Sequence, residues 1–170
     1  MPDSDTSYQF CDIDFQDDVF LRDYQDYCIH SMPDKSMESK SISVRLKFLN
    51  LFLNKRKRSD LCLSFKKEST VVGYIFLKKN PNLESLYIDF VFPSRSLARF
   101  SNKDRVELFK AALLNLCETY KTKQFEGEII RGAKLKGYIG FIKRYVKFVN
   151  LDYSDSKLIK ATINKDDIPR

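Results

Sequence analysis

The feature that most constrains the fold is one continuous stretch, Leu86–Tyr120, in which a strand, a polar loop and a helix follow one another. Residues Leu86–Phe92 form a short aromatic and β-branched run, and Pro93 ends it because proline cannot donate to a strand ladder. In Lys103–Tyr120 apolar residues recur every three or four positions, which predicts an amphipathic helix. This order places the loop Pro93–Asn102 and the first helical amides at a sheet edge, where anions are commonly held. We therefore expect any ligand site to lie at this loop.

The size and charge of the chain limit what surrounds that stretch. A chain of 170 residues with 43% hydrophobic residues is long enough for one domain with a single core, and we expect one domain over residues 1–170. The net charge is +7, but residues 1–38 hold ten acidic and two basic side chains, so they contribute −8 and the remainder +15. The acidic segment can pack over a basic surface, or the basic part can meet nucleic acid, a cofactor phosphate or a membrane surface.

Several classes of protein are disfavoured. The sequence has no run of 18 apolar residues and an acidic N-terminal segment, so we expect an intracellular, cytoplasmic protein without a membrane span or signal peptide. The four cysteines include no C-x-x-C pair, which argues against a zinc site and favours buried small hydrophobes. His30 is the single histidine, and its neighbours do not resemble a nucleophile turn.

The remaining elements follow from hydrophobic patterning. Further strands are predicted at Tyr8–Ile13, Leu61–Lys67, Thr70–Lys78, Phe125–Ile130 and Leu158–Ile163. Further helices are predicted through Val19–Cys28, Ile42–Asn54 and Ala133–Phe148, although a strand beginning near Val146 is an alternative for the last boundary. This order predicts an α/β (α+β) domain with a mixed, mostly antiparallel sheet and helices on both faces.

This order of elements resembles the GCN5-related N-acetyltransferase (GNAT) superfamily, whose members transfer an acyl group from acetyl-coenzyme A (acetyl-CoA) to an amine. The step Val91-Phe92-Pro93 matches the end of that family's fourth strand, and the helix after it matches the helix whose amides hold the pyrophosphate. The loop between them contains no glycine, whereas the family typically uses R/Q-x-x-G-x-G/A. Glycine lets amides approach a phosphate closely, so a different cradle would be needed here.

The resemblance implies a set of cofactor-binding residues: Val91, Arg95, Arg99, Ser101, Asn102 and Lys103. The arginines and Lys103 would neutralise phosphates, and Ser101 or Asn102 would cap the helix. A solvated loop with an ordinary helix cap remains the alternative explanation for the same residues.

The resemblance also implies candidate catalytic residues. Asp89, which interrupts an apolar run, or Glu84 would be the general base for the substrate amine. Asp89 fits equally well as a residue on the solvent side of an edge strand. The family's last helix carries a tyrosine that often protonates the leaving thiolate, but two alignments of that helix put Lys143 or Ile142 at its position. Tyr145 is the nearby candidate, and it also fits as a core aromatic, as does Tyr138.

Three functions remain open from the sequence. The first is a divergent GNAT-like N-acyltransferase, using acetyl-CoA and an amine acceptor, with weakened or lost catalysis. The second is a non-catalytic module that binds a protein partner, such as a virion-associated or host-interacting protein of a bacteriophage. The third is a nucleic-acid-binding protein that uses the basic run Lys55–Arg58 and a stripe of Lys136, Lys143 and Lys147.

Overall fold

One mixed sheet of seven strands organises the part of the chain that the computed structural model describes, which comprises residues 8–30, 50, 54, 60–80, 84–132 and 135–170. The strands are β1 (Tyr8–Asp12), β2 (Leu61–Lys67), β3 (Thr70–Asn80), β4 (Ser85–Pro93), β5 (Gln124–Ile130), β6 (Asn150–Asp152) and β7 (Leu158–Asn164). Their spatial order is β1-β2-β3-β4-β5-β7-β6, and all neighbours are antiparallel except β4 and β5. The predicted mixed, mostly antiparallel sheet is confirmed.

Three α-helices accompany the sheet in the described residues: α1 (Asp18–His30), α2 (Asn102–Tyr120) and α3 (Leu135–Tyr145). Two short 3-10 turns lie at Arg95–Arg99 and Lys165–Asp167. The helix predicted at Ile42–Asn54 and the basic run Lys55–Arg58 lie outside the described residues, apart from positions 50 and 54. Of the helices described, none has the length and hydropathy required to cross a membrane.

The sheet is covered on both faces, as the alternation of its side chains predicts. On one face, Leu86 and Phe125 pack with Leu116 of α2 in a core that α3 also joins. On the other face, Phe76 and Phe92 pack with aromatic side chains of α1. The neighbouring residues Phe76 and Leu77 of β3 thus belong to two separate cores.

The boundaries of α2 have local causes. The Ser101 hydroxyl accepts a hydrogen bond from the Asp104 amide at 3.1 Å, which satisfies one of the free amides of the first turn. The helix ends at Lys121, which adopts the left-handed conformation with φ 54°. The expectation that Ser101 or Asn102 caps this helix is therefore met by Ser101.

The last helix is shorter than the apolar pattern predicts. It ends at Tyr145, and the chain then enters β6 at Asn150, in keeping with the alternative of a strand in this region. Tyr145 is 8% exposed and packs with Phe109 and Phe141, whereas Tyr138 near the start of the helix is 40% exposed. Of these two tyrosines, only Tyr145 behaves as a core aromatic.

Candidate functional site

The sheet opens where β4 and β5 part. Their parallel pairing runs from Ser85 and Gln124 to Ile88 and Gly127 and then stops. Beyond that point β4 stays paired with β3 as far as Pro93, and β5 stays paired with β7. A cleft therefore opens between the carboxyl-terminal ends of β4 and β5, and none of the described strands fills it.

A β-bulge lies at the point where this cleft begins. Phe76 of β3 pairs with Phe90, but the next residue, Leu77, pairs with Ile88, so Asp89 is the extra residue of the bulge. A bulge disrupts the ladder locally and redirects side chains, and bulges are frequent beside active sites. The Asp89 carboxylate is 3.5 Å from the Lys78 ammonium, and its side chain is 20% exposed. The structure thus brings Asp89 to the base of the cleft.

Two carboxylates of β5 and one phenol join Asp89 on the same face of the sheet. Tyr87 lies beside Glu126 in the parallel register, and Glu128 follows two residues later on the same side. Burial, the charge of Glu128 and Asp89, and a hydrogen bond to Glu128 raise the pKa of the Tyr87 hydroxyl above its ordinary value. Tyr87, Glu126 and Glu128 were not expected from the sequence, because only the parallel register places them beside Asp89.

Glu84 lies at the other end of β4. It precedes the strand in a left-handed conformation, with φ 49°, and its carboxylate pairs with the Lys123 ammonium at 2.6 Å. Asp89 lies five positions further along the chain, which is roughly 16 Å in an extended strand. Glu84 and Asp89 therefore do not belong to one site.

Tyr145 also lies away from the cleft. The chain just after it is held beside the start of β5, because the Lys147 amide donates to the Asp167 carbonyl at 2.6 Å and the Lys165 amide donates to the Lys123 carbonyl at 2.8 Å. Burial raises the pKa of the Tyr145 hydroxyl above its ordinary value. The position and burial of Tyr145 both place it in the core rather than in the cleft.

The loop between β4 and α2 is built by internal hydrogen bonds. The Ser94 amide donates to the Val72 carbonyl at 3.0 Å, and the Ser96 hydroxyl donates to the Val71 carbonyl. The Leu97 amide donates to the Ser94 carbonyl, and the Leu97 side chain is buried among residues of β2, β3 and α2. Because these amides bond within the chain, the loop forms a compact turn and needs no glycine.

A buried carboxylate of α1 fixes the same loop. Asp23 is 1% exposed, and it accepts hydrogen bonds from the Arg95 amide at 3.0 Å and from the Tyr74 hydroxyl at 2.7 Å. The Arg95 guanidinium pairs with Asp26 on the next turn of α1. Arg95 is therefore engaged by two carboxylates of this chain.

The other residues expected to hold phosphate surround the start of α2. Ser101 donates to the Asp104 carboxylate at 2.9 Å, so a negative group already lies at this helix terminus. Arg99, Asn102 and Lys103 are exposed, and no described carboxylate pairs with Arg99 or Lys103. Among the described residues, Arg99 and Lys103 are therefore cations of the loop and the helix start that carry no ion pair.

Val91 lies between the bulge and the loop and is 43% exposed. It borders an apolar cavity of about 50 Å³ between the sheet and α2. That volume is below the roughly 300 Å³ at which small-molecule pockets begin. A ligand as large as a cofactor would therefore have to lie in the open cleft, with Val91 at its side.

Several solved structures share the overall fold of this chain. FdhC, described as a nucleotide-linked sugar GNAT, has a TM-score of 0.62 and 12% identity over 95% of this chain and 89% of its own. Campylobacter jejuni PseH, in complex with acetyl coenzyme A, has a TM-score of 0.59 and 9% identity over 94% and 99% of the two chains. PaiA from Thermoplasma acidophilum, in complex with coenzyme A, has a TM-score of 0.57 and 13% identity over 93% and 99%.

Sequence comparison alone does not connect these proteins to this chain. No protein-family model matches the sequence, and the search of curated proteins found no significant match. Identities of 9 to 13% over most of each chain show a shared fold. The chain therefore has the fold of the GCN5-related N-acetyltransferases.

Proposed function

We propose that the chain binds acetyl-CoA in the cleft between β4 and β5 and transfers its acyl group to an amine. The observation that carries this proposal is the parting of the two parallel strands directly after the bulge at Asp89. Beyond Ile88, the edge of β4 that faces β5 has no strand partner among the described residues. An extended chain such as the pantetheine arm would pair with backbone groups along this edge. PseH and PaiA, which share the fold, were solved with acetyl coenzyme A and coenzyme A, respectively.

In this proposal Asp89 is the general base. The lone pair of the neutral substrate amine attacks the thioester carbonyl, and the amine proton passes to the carboxylate directly or through one water molecule. The tetrahedral intermediate then collapses and releases the coenzyme A thiolate. Glu126 and Glu128 would attract a cationic amine to the same face, although the amine must lose a proton before it attacks.

Cofactor phosphates would lie toward Arg99 and Lys103 rather than toward Arg95. Arg99 and Lys103 are exposed at the end of the loop and the start of α2, while the guanidinium of Arg95 pairs with Asp26. Ser101 is occupied with the Asp104 amide and carboxylate. We therefore expect weaker phosphate binding than a glycine-rich loop would give, because few loop amides are available.

The same loop supports a second candidate, a binding module that has the fold but does not transfer acyl groups. Amides of Ser94, Arg95 and Leu97 are bonded within the chain, and Asp104 adds negative charge where pyrophosphate would lie. Binding of coenzyme A separates the two candidates, since the module would have no affinity for it.

The test is calorimetric titration with acetyl-CoA, followed by an assay of thiol release with a panel of small amines and peptide amino termini. Val91→Glu should abolish binding by placing a charge in the cleft, and Val19→Glu is the matched control because Val19 is similarly exposed, at 40%. Asp89→Asn should leave binding intact and reduce turnover by about 10²- to 10⁴-fold, the usual contribution of a general base. Binding that survives Val91→Glu, or turnover that survives Asp89→Asn, would contradict the corresponding part of the proposal.

A further inference from the structure

The outer face of α3 carries positive charge and glycine without any carboxylate. This α3 surface consists of Lys136, Gly137, Gly140, Lys143, Arg144 and Lys147, all of which are exposed. The ion pairs of the described residues involve other cations, so the four basic side chains have no carboxylate partner there. Their unpaired charge is available to an anionic partner.

Within the part of the chain that the structure describes, nothing occupies the space that a side chain would take at either glycine of this surface. A Cβ atom added at Gly137 or Gly140 would meet nothing within 4 Å. Glycine destabilises a helix interior relative to almost every other residue, and an exposed position offers no compensation. Glycine here keeps the helix backbone accessible, so that a partner can approach it closely between the lysines.

The basic surface continues into a pocket at the end of the chain. The cavity has a volume of about 290 Å³ and is lined by Leu114, Lys147, Lys165, Asp166, Ile168, Pro169 and Arg170. The side chains of this lining include three cations, Lys147, Lys165 and Arg170, and one carboxylate, Asp166, so together they carry a net positive charge. Backbone hydrogen bonds fix the chain around the pocket. The Lys147 amide donates to the Asp167 carbonyl at 2.6 Å, and the Ile168 amide donates to the Lys165 carbonyl at 3.1 Å.

An exposed aromatic residue is the sequence neighbour of one of the residues that line this pocket. Phe148 follows Lys147 directly and is 60% exposed, more than any other large hydrophobic side chain of the described residues. Exposed rings next to cations are the elements with which proteins bind single strands, because bases stack on the rings while phosphates meet the cations. Bases within a duplex are already stacked and cannot use such a ring.

We propose that the α3 surface, the pocket beside it and Phe148 bind a single-stranded nucleic acid. Phosphates lie along Lys136, Lys143 and Arg144, and the sugar-phosphate backbone of the strand passes closely over the two glycines. One base stacks on Phe148, and the adjoining phosphate enters the pocket with Lys147 and Lys165. This function is independent of acyl transfer, because the α3 surface does not include the residues of the β4–β5 cleft.

The test is fluorescence anisotropy with a labelled single strand of about a dozen thymidines, its uridine RNA counterpart and a duplex of the same length. Six cations, four on the α3 surface and Lys165 and Arg170 in the pocket, predict a slope of log affinity against log salt of about −4 for single strands. Lys147→Met with Lys165→Met should make that slope shallower by about 1.4. The control, Lys157→Met with Lys160→Met, removes two exposed charges elsewhere and should leave the slope unchanged.

Two further variants separate contact from folding. Phe148→Ala should weaken binding about fivefold or more without changing the salt slope, since it removes stacking rather than charge. Gly137→Leu with Gly140→Leu should raise the melting temperature, because leucine favours helix, and yet weaken binding by blocking close approach. A loss of binding with a gain of stability cannot arise from misfolding.

Several outcomes would overturn the proposal. They are no binding of either single strand at low salt, equal or tighter binding of the duplex, binding only to vesicles that contain anionic phosphatidylglycerol, and affinity that the α3 and pocket variants leave unchanged. Binding of only one of the two single strands would support the proposal and identify the sugar that the surface accepts.

Discussion

Replacement of Asp23 should disturb the β4–α2 loop more than any other change on α1. Its carboxylate is 1% exposed and accepts two hydrogen bonds, from the Tyr74 hydroxyl and from the Arg95 amide. Asp23→Ala removes the acceptor of the buried Tyr74 hydroxyl and of the partly buried Arg95 amide. Hydrogen bonds to charged groups contribute about 1.5 to 3 kcal/mol each, so the free energy of unfolding should fall by roughly 3 to 5 kcal/mol. That is a large share of the roughly 5 to 15 kcal/mol typical of a domain.

Urea unfolding followed by far-ultraviolet circular dichroism measures this change. With a urea m value of about 2 kcal/mol/M, the midpoint should move by roughly 2 M. Asp23→Asn keeps the volume and one acceptor oxygen and should cost less than half as much. In a double-mutant cycle, Asp23→Asn and Tyr74→Phe should show coupling, because the two side chains share one hydrogen bond.

Arg95→Ala is the control for this experiment. It removes the exposed ion pair with Asp26 but keeps the backbone amide that donates to Asp23. Exposed ion pairs contribute little to stability, so this variant should unfold close to the wild type. If Asp23→Ala destabilised the protein no more than Arg95→Ala does, the buried carboxylate would not be what holds the loop, and the reasoning would be refuted.

Three further predictions concern the loop, the last hairpin and alkaline pH. Leu97→Ala should lower the free energy of unfolding by about 2 to 4 kcal/mol through loss of a buried side chain, whereas Arg99→Ala should leave urea unfolding unchanged; equal effects would contradict the loop packing. Backbone amides that donate to Asp155 lower the pKa of its carboxyl. This group therefore stabilises the fold above about pH 4, and the stabilisation is lost as the pH falls. Asp155→Asn should make hydrogen exchange of the amides in the β6–β7 hairpin depend less on acid pH. Burial raises the pKa of Tyr74 and Tyr145. The free energy of unfolding should therefore fall above about pH 10, where tyrosines of the unfolded chain ionise. Absorbance at alkaline pH should show both groups titrating only as the protein unfolds, and titration before unfolding would contradict their burial.

The secondary structure around Leu86–Tyr120 could be predicted because its signals are local. The apolar run before Pro93, the helical period after Lys103 and the cap at Ser101 are each contained within a few residues. These signals placed the strand and helix within one or two residues of their observed ends. The mixed sheet followed from the order of such elements.

The site could be predicted only in part because its residues meet through strand register. Asp89 stands out in the sequence as a charge within an apolar run, but nothing local shows that Glu126 and Glu128 lie beside it. Glu84 is also a carboxylate near β4, and the sequence does not show that it lies at the end of the strand away from the cleft.

The loop shows a different limit of sequence reasoning. The loop contains no glycine, and no described residue between Ser94 and Phe100 has a positive φ. The sequence does not reveal what takes the place of glycine. That role falls to Asp23, which lies far away in the chain and packs against the loop only in the folded protein.

The central claim, that the β4–β5 cleft binds acetyl-CoA, is tested most directly by ¹H–¹⁵N correlation spectra recorded while acetyl-CoA is added. The largest shifts should occur at the amides of Asp89, Phe90 and Val91 on β4 and of Glu128 and Ile129 on β5, and Val91→Glu should remove them. Spectra that do not change at millimolar acetyl-CoA, or shifts confined to the α3 surface, would contradict the claim.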